Sequence, residues 1–351
     1  MIDRRQVQNL ILIFLLGLMA SLWAQPSKTN QAETIPSRQR APERVVKIAV
    51  LQAGTNHSLN GNPGPTANFN VLAEQARLAA EKAPDLIVFP EYAISGWKYP
   101  PEEAMNGLAE SIPGPGYWFQ KYVALASEIQ IPMVGWLVEK EPEKLFNTAF
   151  LLNEGGDFIG KYRKVHANLG EQTWWGWSQG DSFQPIEHKG VRYGISICAD
   201  MFFPETVLCE ELLGADVIVH LSISDDMGQI VPVRAMDSEI PIVVSISRGG
   251  SYAVDARGQV LGKLPAAAPG WMIFELQPFL VQTQQKYGGL WIPELGRKNL
   301  RNVRAYQILI DPATRPPWTK IFLDNQGNPQ TKQQLLQRFK GRYDARDPEN
   351  P

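Results

Sequence analysis

Two cysteines and four histidines in a chain of 351 residues narrow the available chemistry from the start. Two cysteines cannot build a disulfide framework. His57, His166, His188 and His220 show neither the HExxH nor the CxxC spacing of a zinc site, so no metal is expected. The formal net charge is −2 and no basic stripe interleaves with aromatics, which argues against a nucleic-acid partner. What is present, 44% hydrophobic and 20% charged residues, suits a globular body with a substantial core, as one large domain or two small ones.

The N-terminus stands apart from that body. Arg4 and Arg5 precede the uncharged run LILIFLLGLMASLWA, residues 10–24. Fifteen residues are short for a membrane span and suit the apolar region of a signal peptide. Ala24 could precede a cleavage site, although Leu22 is larger than the usual small residue, so an uncleaved anchor stays open. A buried core helix fits less well, because the segment is apolar all round and terminal. Residues 25–44 are polar and proline-containing and read as a flexible linker. The expectation is an exported protein, periplasmic or extracellular, touching a membrane only through residues 10–24 if these are retained.

From Val45 onward strands and helices alternate. VVKIAVLQA, APDLIVFPE, IPMVGWLVEK, VRYGISI and ADVIVHLSIS read as strands, and residues 68–82 and YWFQKYVALASEIQ as helices. NTAFLLN with GDFIGKYRK, and GSYAVDARGQVLGKL, read as hairpins. RAMDSEIPIVVSIS reads as a short helix leading into a strand. The result is an α/β body with some antiparallel pairing. Beyond about residue 281 the composition turns polar, with a helix near Lys332–Lys340, as expected of a C-terminal arm.

Three strand ends carry candidate chemistry. In LIVFPEYAISGW, Glu91 follows a buried apolar strand, where desolvation raises a carboxyl toward the range a general base needs. A capping or salt-bridged glutamate is the alternative. In GKYRKVHANLGEQTWWGWSQGD, strand alternation puts Lys164 and Arg163 on opposite faces, so one of them points inward. An inward lysine could stabilise an oxyanion; a solvated basic edge strand is the alternative. In YGISICADMFFPE, Cys198 sits at a strand-to-helix junction, with Pro204 and Glu205 near the helix start. A thiolate is favoured near a helix N-terminus, while burial is the default for a lone thiol. Together Glu91, Lys164 and Cys198 supply a base, a cation and a nucleophile.

FPEYAISGW, YRKVH and GISICADMFFPE, in that order, resemble the three signature segments of the nitrilase superfamily of carbon–nitrogen hydrolases. GADVIVHLS, VRAMDSEIPIVVSIS and GGSYAVDARGQVLG extend the resemblance over roughly residues 45–275, within a hydrolase domain placed at 45–280 and followed by an extension at 281–351. The resemblance implies a nitrilase-like αββα sandwich of two mixed sheets with the site at their ends. It makes Cys198 the nucleophile and Glu91 the base. Lys164 would hold the tetrahedral intermediate with the N–H of Ala199. Glu171 would be the family's second glutamate, with Gln172 one position away. No cofactor is implied, and homo-oligomers formed through helices flanking the cysteine are. Nitrile-cleaving members typically carry Trp after the cysteine; Ala199 favours a small-molecule amide. Acyl transfer to an amine and nitrile hydrolysis remain alternatives, with a non-catalytic binding protein behind them.

Trp174, Trp175 and Trp177 lie in a glycine-containing loop and read either as a substrate-facing wall or as core. Cys209 reads as core. Asp200 and Glu205 are expected to orient the helix start, and His166 and His220 to be structural; a papain-like pairing of either with Cys198 is the weakest reading.

Overall fold

The computed structural model describes residues 45–54, 64–96, 102–225, 228–266 and 268–277. The N-terminal run and linker, the C-terminal extension and the helix near Lys332–Lys340 lie outside the described residues. Among the described residues no helix is long and apolar enough to cross a membrane.

Strand β1 (Val46–Gln52) explains the layering. Its period of two sends Ile48 and Val50 into one core and Ala49 and Leu51 into another. Strand β2 (Leu86–Val88) divides the same way, with Leu86 and Val88 on one side and Ile87 on the other. Such strands are buried on both faces, which is why they read as continuous apolar runs. The outer core of this half is closed by α1 (Pro65–Ala80) and α3 (Tyr117–Ile129), separated by the short α2 (Glu102–Asn106). Helix α1 buries Phe69, Leu72, Ala73, Ala76 and Ala79 along one stripe and begins with proline at its first position.

The half-sheet is built from β1, β2, β3 (Met133–Glu141), β4 (Lys144–Leu152) and β5 (Phe158–Arg163) in sequential order. Strand β12 (Gly270–Leu276) lies antiparallel to β1 along its whole length. The second half comprises β6 (Ile186–His188), β7 (Val191–Ile197), β8 (Val217–Ser224), β9 (Ile242–Arg248), β10 (Tyr252–Val254) and β11 (Val260–Lys263). Its outer face is covered by α5 (Pro204–Leu212) and α6 (Ile230–Ser238). Residues of both halves meet in the central core, among them Val50, Val88, Ile197 and Val219. Both halves mix parallel with antiparallel pairing. This is the expected αββα arrangement, with one addition: Gln52 pairs with Ile246, which joins the two sheets into one hydrogen-bonded network.

Strand direction sets the position of the site. Strands β1, β2 and β3 run parallel, as do β7, β8 and β9, and β1 pairs parallel with β9. Strand β5 is antiparallel to β4, itself antiparallel to β3, so β5 also ends on this edge. The residues that follow β2, β5 and β7 therefore converge, at the carboxyl ends where α/β folds place their ligands.

Two details differ from expectation. Strand β12 was not anticipated, because GWMIFEL shows no clear alternation. Pro204 and Glu205 open α5 as expected, but a 3-10 turn, Cys198–Phe202, lies between β7 and that helix. Cys198 therefore does not stand at the α5 N-terminus.

Candidate active site

Glu91, Lys164, Glu171 and Cys198 come from four chain segments and meet at this edge. The Glu91 and Lys164 side chains are fully buried. Lys164 Nζ donates to Glu91 Oε1 at 3.0 Å and to Glu171 Oε1 at 2.8 Å. Arg163 takes the opposite face of β5 and reaches Glu139 and Glu141, so Lys164 is the inward residue of the pair. Burial works against the Lys164 ammonium, but Glu171 and Glu91 outweigh it and hold its pKa well above the ordinary lysine value.

Glu91 has the opposite fate. Burial, with Glu171 adding, outweighs Lys164 and the Asn147 and Lys164 hydrogen bonds and raises it to about 7. Its Oε1 is occupied by Asn147 and Lys164, while Oε2 is buried and no nitrogen or oxygen donor among the described residues bonds it, leaving it to the Cys198 side. One oxygen is thus held and the other is left to take a proton. Cys198 is half-buried, and burial followed by the Glu91 charge pushes its thiol well above the ordinary value. Of the two readings, burial prevails over a helix N-terminus that would favour a thiolate. The group rests as a thiol and needs a base.

Glu171 lies on α4 (Leu169–Thr173), opened by a capping box in which Asn168 Oδ1 accepts from Glu171 N and Glu171 Oε2 accepts from Asn168 N. The cap fixes the carboxylate and leaves Oε1 for Lys164 and for the Tyr92 hydroxyl at 2.9 Å. Gln172 instead donates to the Ala167 carbonyl, so the geometry selects Glu171 of the two. Ala199 is the second residue of the turn that Cys198 opens.

The tryptophans divide. Trp175 and Trp177 are core residues, packed on each other and on Tyr92, and Trp177 Nε1 donates to Asn106. Of the wall and core readings, burial favours core for these two, which pack against Tyr92. Trp174 is half-buried, against Gly170. Of the two histidines, His166 Nδ1 reaches Asp200 and His220 Nδ1 reaches Ser196. Cys209 is buried core. Among the described residues, no group of three or more His, Cys, Asp or Glu is arranged to hold a metal ion.

Two residues escaped the sequence reading. Asn147, inside β4, donates to both Glu91 and Glu171 and accepts from Trp136 Nε1 at 2.6 Å. A lone amide in an apolar strand was the available signal. Tyr92 adopts φ +56 and Cys198 φ +45, left-handed conformations that cost non-glycine residues energy and cluster at functional sites.

Gly180 locks the Lys164 backbone, donating from its N–H to Lys164 O at 2.8 Å. A Cβ there would fall 2.1 Å from the Arg163 carbonyl oxygen. Gly180→Ala is expected to cost about 2 kcal/mol of stability and to lower activity by displacing Lys164. Urea unfolding and turnover of the variant check both.

The carbon-nitrogen hydrolase family model matches residues 47–286. A nitrilase of Pyrococcus abyssi is 27% identical over 266 residues, covering 74% of this chain and 93% of the relative. An (R)-stereoselective amidase of Pseudomonas is 30% identical over 232 residues, 62% of this chain and 80% of its own length. Among solved structures, Saccharomyces cerevisiae Nit3, of the nitrilase superfamily, superposes with a TM-score of 0.62 at 22% identity, over 73% of this chain and 99% of that one. The chain belongs to the carbon–nitrogen hydrolase family of the nitrilase superfamily.

Proposed function

We propose that this protein hydrolyses a small non-peptide amide through an acyl-enzyme on Cys198. The observation that carries this reading is the buried cluster in which Lys164 is shared by Glu91 and Glu171 beside Cys198, whose thiol pKa is pushed up by burial. Glu91 takes the thiol proton as sulfur attacks the carbonyl carbon. The oxyanion is held by Lys164 Nζ and the Ala199 N–H. Glu91 then returns the proton to the departing nitrogen, and a water activated by the same carboxylate releases the acid. Glu171 keeps Lys164 charged and aimed.

The test is ammonia release across short, aromatic and acylated amino-acid amides, repeated with hydroxylamine. Ammonia with hydroxamate formation supports the acyl-enzyme. Products from nitriles alone would favour the second reading, nitrile hydrolysis, to which the Pyrococcus relative's name points. Product formed preferentially on an added amine would mark an acyl transferase.

The pH dependence follows from Glu91. The acid limb of kcat/KM is expected to centre near its raised value of about 7, as a property of the coupled cluster. Stability runs the other way. The folded value lies above the ordinary 4.5, so the Glu91 contribution is complete below that and is lost as pH rises through about 7. Rate and unfolding measured from pH 5 to 9 check the opposed trends.

Export is part of the same proposal, supported by Arg4, Arg5 and the uncharged run 10–24. Fractionation with N-terminal sequencing distinguishes cleavage after Ala24 from retention.

A further inference from the structure

Asp200 lies two residues beyond the nucleophile, fully buried, and it receives four donors. Its Oδ1 accepts from His166 N at 2.8 Å and from His166 Nδ1 at 2.9 Å. Its Oδ2 accepts from the Tyr162 hydroxyl at 2.8 Å and from Ile197 N at 2.9 Å. A carboxylate offers about four lone-pair positions, so this one is filled. Two of the donor residues, Tyr162 and His166, flank Lys164, and Ile197 directly precedes Cys198. Thr206 ties the same turn from the other side, its hydroxyl donating to Asp200 O at 2.9 Å. His166 is further fixed by stacking on Phe203, with ring centroids 3.9 Å apart and planes 6° apart.

We propose that Asp200 is a positioning residue of the reaction: it holds the Cys198 backbone in its left-handed conformation and sets the Lys164 segment in register with the thiol. The inference rests on the Cys198 reading above. Asn in this place would accept at one oxygen only. It would turn an N–H toward Ile197 N–H or His166 N–H, neither of which can accept. The tether ahead of the strained cysteine, or the link to the Lys164 segment, is lost at unchanged size.

The experiment uses the full chain and alkylation of Cys198 by iodoacetamide, in which a C–S bond forms, iodide leaves and the thiol proton passes to Glu91. No amide substrate needs to be known. Folded Asp200→Asn is expected to alkylate about a hundredfold more slowly, the scale of an ångström-sized misplacement, and to lower kcat with KM unchanged on any accepted amide. A second readout isolates the backbone. Glycine tolerates the left-handed region, so Asp200→Asn should lower Tm less in a Cys198→Gly protein than in a Cys198→Ala protein.

A folded Asp200→Asn that alkylates at the wild-type rate overturns the proposal, as does an equal Tm loss in the two backgrounds. If Asp200→Asn does not fold, Tyr162→Phe, which removes one donor of four, is expected to slow alkylation about fivefold; a wild-type rate overturns the proposal there too. A wild-type protein that alkylates rapidly at Cys198 yet turns over no amide would defeat the amidase reading and leave Asp200 in its role.

Discussion

Cys198→Ala is expected to lower turnover about 10⁴-fold or more, the scale on which nucleophile deletions act, while the protein keeps its fold. Nothing else in the cluster offers a nucleophile at the same place. Cys209 is buried in the core, and the two nearby imidazoles are committed to Asp200 and Ser196. The fold survives because the deleted atom is a single half-buried sulfur. Lys164, Glu91, Glu171 and Asn147 retain their mutual hydrogen bonds. Alanine at φ +45 keeps the backbone strain of the cysteine, so thermal unfolding should shift little. Turnover and melting curves on the same preparation check the two halves together.

Lys164→Met should do what Cys198→Ala does not: it should damage rate and stability at once. The lysine is the cation between two buried carboxylates, both on its Nζ within 3.0 Å. Deleting one partner of a buried ionic cluster leaves uncompensated charge and costs about 3–5 kcal/mol. The lost oxyanion contact costs a further factor of about 10²–10³ in kcat. The stability loss has a predictable pH dependence. Without the ammonium, Glu91 loses the charge that holds its pKa down and binds a proton still more tightly folded than unfolded, so the deficit shrinks as pH falls toward the ordinary carboxylate range and grows above it. Unfolding of wild type and Lys164→Met at pH 5 and pH 8 measures this. A deficit independent of pH would mean that the lysine acts by packing alone.

The site was legible in the sequence where a polar residue ended an apolar strand. Glu91, Lys164 and Cys198 each interrupt or terminate a run whose burial is plain from composition, and alternation put Lys164 and Arg163 on opposite faces without choosing the inward one. The hub residues were less visible, because their role comes from strand register. Asn147 becomes a partner of Glu91 only when β4 pairs with β3, and Asp200 becomes a junction only when β7 brings its turn against the end of β5. Aromatic density left Trp175 and Trp177 undecided, since a buried cluster and a binding wall share the same residues and glycines. Strand β12 escaped for a similar reason: it gains its identity from seven paired residues of β1, at the far end of the fold in sequence.

The central claim is that the Cys198 thiol carries the acyl group. Rapid mixing with a p-nitrophenyl ester of a small carboxylic acid tests it most directly, because the ester acylates quickly and reports each event as nitrophenol. The account predicts a burst of about one equivalent per chain, with the acyl mass on the peptide containing Cys198 and no burst in Cys198→Ala. A burst that persists in Cys198→Ala, or an acyl group mapped to another residue, would contradict it.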